Sequence, residues 1–244
     1  MIRACRSLAI VLAAALSSLP SMLALSVQAA PIEVTSRAAL GGNDFIDWSQ
    51  LGPAFTVVSS PFLVTSNGGI GTLAHQVGNS SFRRVDQGAG WSGNFAPGAA
   101  LLWNNSDATV VIDFGTPVAG AGAQIQGDIF SNFTVQLLAF DSGGHPLGVF
   151  SEAGVSDASA DNSAIFLGVL NSTANIAQIG YRLTATGGSA SGTGSAFSGS
   201  FALNQLDLVE LEPVPEPATL LLLATSLAGA GVAGWRRRGR SSEP

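Results

Sequence analysis

Apolar runs long enough to meet a membrane stand only at the two ends of this 244-residue chain, and arginine borders both. The chain has no lysine; Arg3 and Arg6 precede the first run, and Arg236, Arg237, Arg238 and Arg240 follow the second. Any globular fold must therefore be built from the residues between. The start reads Met1-Ile-Arg-Ala-Cys-Arg, continues through an apolar run from Leu8 to Leu16, and reaches Val27-Gln-Ala-Ala-Pro31. A basic n-region, an apolar h-region and small side chains before a cleavage point are the pattern of a secretory signal peptide. Residues 1–29 are read as that peptide, with Val27 and Ala29 as the cleavage-site residues. Pro20, Pro31 and the leading arginines argue against a buried first helix. Cleavage removes Cys5, the only cysteine, so the mature chain has neither thiol chemistry nor an internal disulfide.

The other end is more specific. Val214, Pro215, Glu216 and Pro217 precede Ala218 to Trp235, an 18-residue stretch without a charged side chain. At about 1.5 Å per residue, a helix of that length is near the short limit for crossing a hydrocarbon core of ~30 Å. Arg236, Arg237, Arg238 and Arg240 would hold its C-terminal end in the cytoplasm, and Trp235 suits the membrane boundary. Prolines on both sides of Glu216 keep residues 213–217 extended and short of helical hydrogen bonds. An extended peptide is what a membrane-surface protease can grip.

Pro-Glu-Pro, a short apolar helix and a terminal arginine cluster, in that order, resemble the PEP-CTERM sorting signal of exported bacterial proteins. The resemblance implies passage through the secretion translocon, removal of the leader by signal peptidase, and a transient stay in the inner membrane. It further implies recognition by an exosortase and delivery to the cell surface or extracellular matrix of a bacterium that makes exopolysaccharide and biofilm. Two fates follow from the residues themselves: a released product lacking the segment after Pro217, or a full-length single-span membrane protein. The expected organisation is a signal peptide at 1–29, an ectodomain at 30–212, the sorting motif at 213–217, a transmembrane helix at 218–235 and an Arg-rich cytoplasmic tail at 236–244.

Between the ends, Arg37, Arg83, Arg84 and Arg182 face fourteen Asp and Glu, which leaves the body near −10 formally. Such a surface does not neutralise phosphates, so nucleic acid is excluded as a partner. Strand-like runs recur between Gly/Ser/Asn/Asp clusters: 54–58, 62–65, 108–114, 133–140, 146–150, 164–170, 176–186 and 201–211. The run 133–140 alternates through Phe133, Val135 and Leu137, ends in Asp141-Ser-Gly-Gly144, and predicts a hairpin with 146–150. Gly68-Gly69 and Gly143-Gly144 mark tight turns, and Gly187 to Ser195 is a low-complexity loop between the last two strands. No 3.6-residue stripe is sustained outside the ends. These features predict an all-β body, a single β-sandwich. The likeness to PEP-CTERM ectodomains, carried by Asn43 to Gly52, the Gly-Ala-Gly-Ala-Gln124 strand and Phe201 to Asp207, implies a jelly-roll or galactose-binding-like form of it.

Little in the body points to catalysis. The only histidines are His75 and His145, and no G-x-S-x-G elbow occurs, so no nucleophile has an evident base. Zinc is excluded by the shortage of ligands, and no metal ligand is assigned. A glycosidase would need two carboxylates across a cleft; the candidates are Asp44 with Asp47, Asp86, Asp113, and Asp157 with Asp161. A structural Ca²⁺ could use loop oxygens such as those of Asp157 to Asn162, although the segment departs from the EF-hand spacing. Sugar contacts are expected at Trp48, beside Asp44 and Asp47, and at Trp91 and Trp103, with Arg83, Arg84, Asp86, Asn94, Asn104 and Asn105 nearby in sequence. The reading is a non-enzymatic surface or matrix protein acting in adhesion or biofilm structure. The alternatives are an exopolysaccharide-binding module and a secreted carboxylate-dependent hydrolase.

Overall fold

The computed structural model describes residues 29–78, 81–186 and 199–211. Residues 1–28 of the expected signal peptide, the Gly187–Ser195 loop, the sorting motif, the apolar helix and the Arg-rich tail lie outside the described residues.

The elements follow in chain order. They begin with β1 (Ile32–Val34), a one-turn helix α1 (Arg37–Leu40), β2 (Asp44–Ile46) and a 3-10 turn (Trp48–Leu51). Next come β3 (Val57–Val58), β4 (Phe62–Thr65), β5 (Gly71–Gln76), β6 (Phe82–Gln87), β7 (Gly90–Trp91) and β8 (Ala100–Asn104). Then follow β9 (Val110–Val118), β10 (Gly120–Gly127), β11 (Asn132–Phe140), β12 (Pro146–Val155), β13 (Ile165–Leu170), β14 (Ile176–Thr186) and β15 (Phe201–Val209). One sheet has nine strands, ordered β1-β13-β10-β15-β8-β6-β3, with β2 added on β15 and β7 on β6; the other has six, ordered β12-β11-β14-β9-β5-β4. From β8 onward the chain crosses between sheets at almost every connection, so neighbours in space are distant in sequence.

The period of two in the sequence does the sorting. Val110, Ile112 and Phe114 of β9 and Phe133, Val135, Leu137 and Ala139 of β11 are buried, while the residues between them face outward. These side chains meet Leu167, Val169, Leu203, Leu206 and Leu208 of the nine-stranded sheet in one continuous core, the arrangement of a β-sandwich. The Tyr181 hydroxyl donates to the Leu167 carbonyl oxygen at 2.8 Å, a buried bond from the six-stranded to the nine-stranded sheet. The β11–β12 hairpin forms as expected, in register from Asn132 opposite Val155 to Phe140 opposite Pro146.

Strand β10, Gly-Ala-Gly-Ala-Gln-Ile-Gln-Gly, is buried at every position. It lies between β13 and β15, and its first half, residues 120–123, carries only glycine and alanine. A Cβ on Gly122 would stand 2.6 Å from Phe166 Cζ and 2.8 Å from the Gly168 Cα. Strands β5, β6 and β8 have no counterpart among the runs expected from sequence. β6 reads Phe-Arg-Arg-Val-Asp-Gln, yet Arg84 is only 6% exposed and pairs with Asp86. Charge in the strand hides its pairing with β8.

Candidate functional site

The expected sugar platform is not assembled. Trp48 has no exposed surface; its ring is part of the main core and its indole N–H donates to the Asn204 carbonyl at 2.9 Å. Trp91 is 6% exposed and packs on Phe95 and edge-on against Trp103, with ring centroids 6.3 and 6.0 Å away. Trp103 is half-buried, donates to Ser200 Oγ at 2.7 Å, and carries the Arg83 guanidinium 5.6 Å from its ring centroid. Trp48 and Trp91 are thus core residues, because the large apolar ring gains more from burial than a loop position suggests. One Trp103 face already has a cation over it. Asn94 and Asn104 are buried as well. The Asn94 side-chain amide donates to Asp157 Oδ1, Ser159 Oγ and Ser163 Oγ at 2.8, 3.0 and 3.1 Å, pinning the loop before β13.

That loop does not form a calcium cradle. Asp157 Oδ1 accepts from the Ser159 N–H at 2.7 Å, and Asp161 Oδ1 accepts from the Ser163 N–H at 3.0 Å and its hydroxyl at 2.5 Å. Ser163 and Ser159 hydroxyls and the Ser163 N–H hold the Asp161 carboxyl down at about 2. Among the described residues, no group of three or more His, Cys, Asp or Glu converges as a metal site. Asp47 caps the 3-10 turn through the Ser49 N–H at 2.9 Å and the Ser49 hydroxyl at 2.8 Å.

Asp44 does not pair with Asp47; it faces Glu210, just past the end of β15. Asp44 is 5% exposed, and its Oδ1 accepts from the N–H groups of Gly68 at 2.6 Å and Phe45 at 2.7 Å. Its Oδ2 is buried without a hydrogen-bond partner. Burial pushes the Asp44 carboxyl up, but hydrogen bonds from Ser66, Gly68, Phe45 and Glu210 outweigh it and leave the group below its ordinary value. Glu210 is raised, first by the hydrogen bond it shares with Asp44, then by burial and by the Asp44 charge. Asn43 fixes Glu210 by its backbone: the amide donates to the Glu210 carbonyl at 2.9 Å and its Oδ1 accepts from the Glu210 N–H at 2.8 Å. Sequence gave no signal of this pair, since its members sit at opposite ends of the body.

A second polar arrangement lies on the outer face of the six-stranded sheet. The register sets Leu73, Asp113, Gln178 and Phe140 in one row across β5, β9, β14 and β11. Gln178 donates to Asp113 Oδ1 at 2.5 Å, and His75 Nδ1 lies 3.3 Å from Asp113 Oδ2. His145 Nδ1 lies 3.1 Å from Asp141 Oδ2 in the hairpin turn. The backbone N–H of His145 is the main influence holding the Asp141 carboxyl below its ordinary value. Asp113, Phe140, Asp141, Ser142, Gly144 and Gln178 line an open groove of about 350 Å³. The groove offers acceptors, an amide and an aromatic edge, a set suited to holding hydroxyls. No sequence pattern brought Asp113 and Asp141 to one groove, because the pairing of β9, β14 and β11 does so.

Residues 213–238 match the PEP-CTERM protein-sorting motif. The chain therefore carries this motif just beyond its last core strand, as the Pro-Glu-Pro, apolar and arginine segments indicated. A sorting motif of this kind implies export to the cell envelope or surface, with an exosortase as processing partner. No curated protein matches the chain. A DUF4465 family protein from Bacteroides caccae is similar at 13% identity and a TM-score of 0.38, over 74% of this chain and 99% of that one. CsCBM6-3 from Clostridium stercorarium, solved in complex with cellobiose, is similar at 12% identity and a TM-score of 0.29, over 66% of this chain and 98% of that one.

Proposed function

We propose that this chain is an exported bacterial surface or extracellular-matrix protein whose β-sandwich body acts in adhesion or biofilm structure. In this reading residues 1–29 direct export and are removed, and residues 218–235 then hold the protein in the inner membrane. Exosortase acts at Pro215-Glu216-Pro217 and releases the body to the outside. The observation that carries the reading is the sorting motif at 213–238, which follows in sequence the last described strand: β15 closes at Val209 and Glu210 is tied back to Asn43. The acidic, lysine-free and thiol-free composition of the body accords with life outside the cytoplasm. The body is read as non-catalytic, since each of its histidines faces an aspartate rather than a hydroxyl nucleophile.

The test is the intact mass and location of the protein in exosortase-positive and exosortase-negative cells. The expected product starts at Ala30 and ends near Pro217, and it leaves the membrane only where exosortase is present. Full-length protein retained in the membrane of both strains would overturn the sorting reading.

A second reading, exopolysaccharide binding, is favoured by the outer groove, where Asp113, Gln178 and Asp141 surround Phe140. Hydroxyls of a sugar would accept from Gln178 and donate to the carboxylates while a ring face lies on Phe140. A glycan array with the mature protein tests it, with Asp113→Ala/Gln178→Ala as the comparison. Binding that the double variant retains unchanged would remove the groove from consideration.

A further inference from the structure

We propose that Asp44 and Glu210 bind a calcium ion at the point where the sandwich hands over to the sorting segment. The argument starts from an imbalance of charge. Asp44 is 95% buried by its 5% exposure, and its Oδ2 has no hydrogen-bond donor. Leaving an anionic oxygen bare in a protein interior is costly unless something positive meets it. What meets it instead is a second carboxylate. A Cβ on Gly68 would stand 2.6 Å from Glu210 Oε1 and 2.9 Å from Asp44 Oδ2, so both oxygens converge on one spot beside that glycine. A side chain at position 68 would fill the space; glycine leaves it open.

The protein supplies no cation of its own there. The body has no lysine and four arginines, and each arginine is engaged elsewhere. Arg37 Nε binds Asp207 Oδ2 at 2.6 Å, Arg84 pairs with Asp86, Arg83 covers Trp103, and Arg182 donates to Gln136 Oε1 at 3.0 and 2.7 Å. Asp44 cannot swing away at small cost, and Glu210 is anchored by its backbone. Two N–H groups grip Asp44 Oδ1, and the two-way bond with Asn43 holds the Glu210 backbone. The Asp44 grip also favours its ionised form. The balancing positive charge is then either a proton shared by the two carboxyl groups or a cation from solution, and a calcium titration separates the two. Glu210 is partly exposed and gives an ion a way in from solvent.

One fixed carboxylate and one anchored through its backbone, with solvent on one side, make an irregular, incomplete oxygen set. Calcium tolerates such a set and fills the remaining positions with water, whereas magnesium demands near-octahedral geometry. Few protein ligands place the affinity in the range of extracellular modules, a Kd on the order of 10⁻⁴ to 10⁻³ M.

The experiment is thermal unfolding of the full chain in detergent, freed of metal by chelation, at neutral pH with increasing CaCl2 or MgCl2. The wild type is expected to show a Tm rise that saturates with calcium and is much smaller with magnesium. Glu210→Gln is expected to weaken the calcium response at least about tenfold, and Glu152→Gln, on the exposed strand β12, to leave it intact. Asp44→Asn removes a buried backbone acceptor and can compromise folding, so the more exposed Glu210→Gln is the deciding variant, with circular dichroism confirming that it is folded. No saturable response in the wild type, or an equal one in Glu210→Gln, overturns the proposal. If Glu210→Gln stabilises the metal-free protein while calcium leaves the wild type unmoved, the pair shares a proton and the calcium site is wrong.

Discussion

Asp161 and Tyr181 show how single side chains contribute once their surroundings are known. Asp161 is held at about 2, against an ordinary 3.8, by Ser163 and Ser159. Its ionised form is favoured in the folded state, so its contribution is fully present above 3.8 and fades as pH falls toward about 2. Asp161→Asn is therefore expected to lower stability at neutral pH, where the ionised carboxylate contributes, and to converge with the wild type as pH falls toward about 2, which flattens the acid limb; thermal unfolding from neutral to acid pH checks it. Tyr181 is fully buried with its hydroxyl on the Leu167 carbonyl, and burial raises the phenol well above its usual range. Tyr181→Phe removes one bond and keeps the packing, so a loss of about 1 kcal/mol is expected in denaturant unfolding with an unchanged slope. The tryptophans carry the lesson about legibility at this scale. Trp48 and Trp91 are expected sugar contacts beside Asp and Asn residues, yet both rings are buried. Residue type and neighbours do not say which side of a sandwich a loop folds onto.

At the scale of elements, legibility followed alternation. Strands β9 and β11 carry apolar residues on every second position, β14 and β15 are apolar-rich runs between turn residues, and all four were readable, as was the hairpin closed by Gly144 with its φ of 78°. β6 was not, since Arg83, Arg84, Asp86 and Gln87 mask its pattern while Asp86 neutralises Arg84. Two strands with opposite demands give a paired prediction. β10 is buried throughout, and Gly122 lies against Phe166 and Gly168; Gly122→Val overpacks this contact and is expected to cost about 1–3 kcal/mol or more. β12 is an edge strand with no buried position and an exposed Val149. Val149→Lys is expected to change stability by no more than about 0.5 kcal/mol, and a charge there also discourages edge-to-edge pairing. Equal effects of the two substitutions in parallel denaturant titrations would contradict the burial pattern.

For the molecule as a whole, the described fold and the matched sorting motif occupy successive stretches of the sequence. The described fold closes with Glu210 bonded to Asn43, and the matched sorting motif starts at residue 213. Replacing Pro215, Glu216 and Pro217 together by alanine is expected to block release from the membrane while leaving the Tm of the body unchanged. Fractionation together with thermal unfolding reads both halves of that statement, and a lowered Tm would mean that the motif is part of the fold. By itself the sequence determined the sorting tail and the all-β character, because both are written in contiguous residues: a motif of consecutive positions and a period of two. Only the tertiary structure decided which rings are core, that Asp44 meets Glu210, and that Asp113 and Asp141 border one groove. Those relations join residues far apart along the chain, and strand order and register alone bring them within reach of one another.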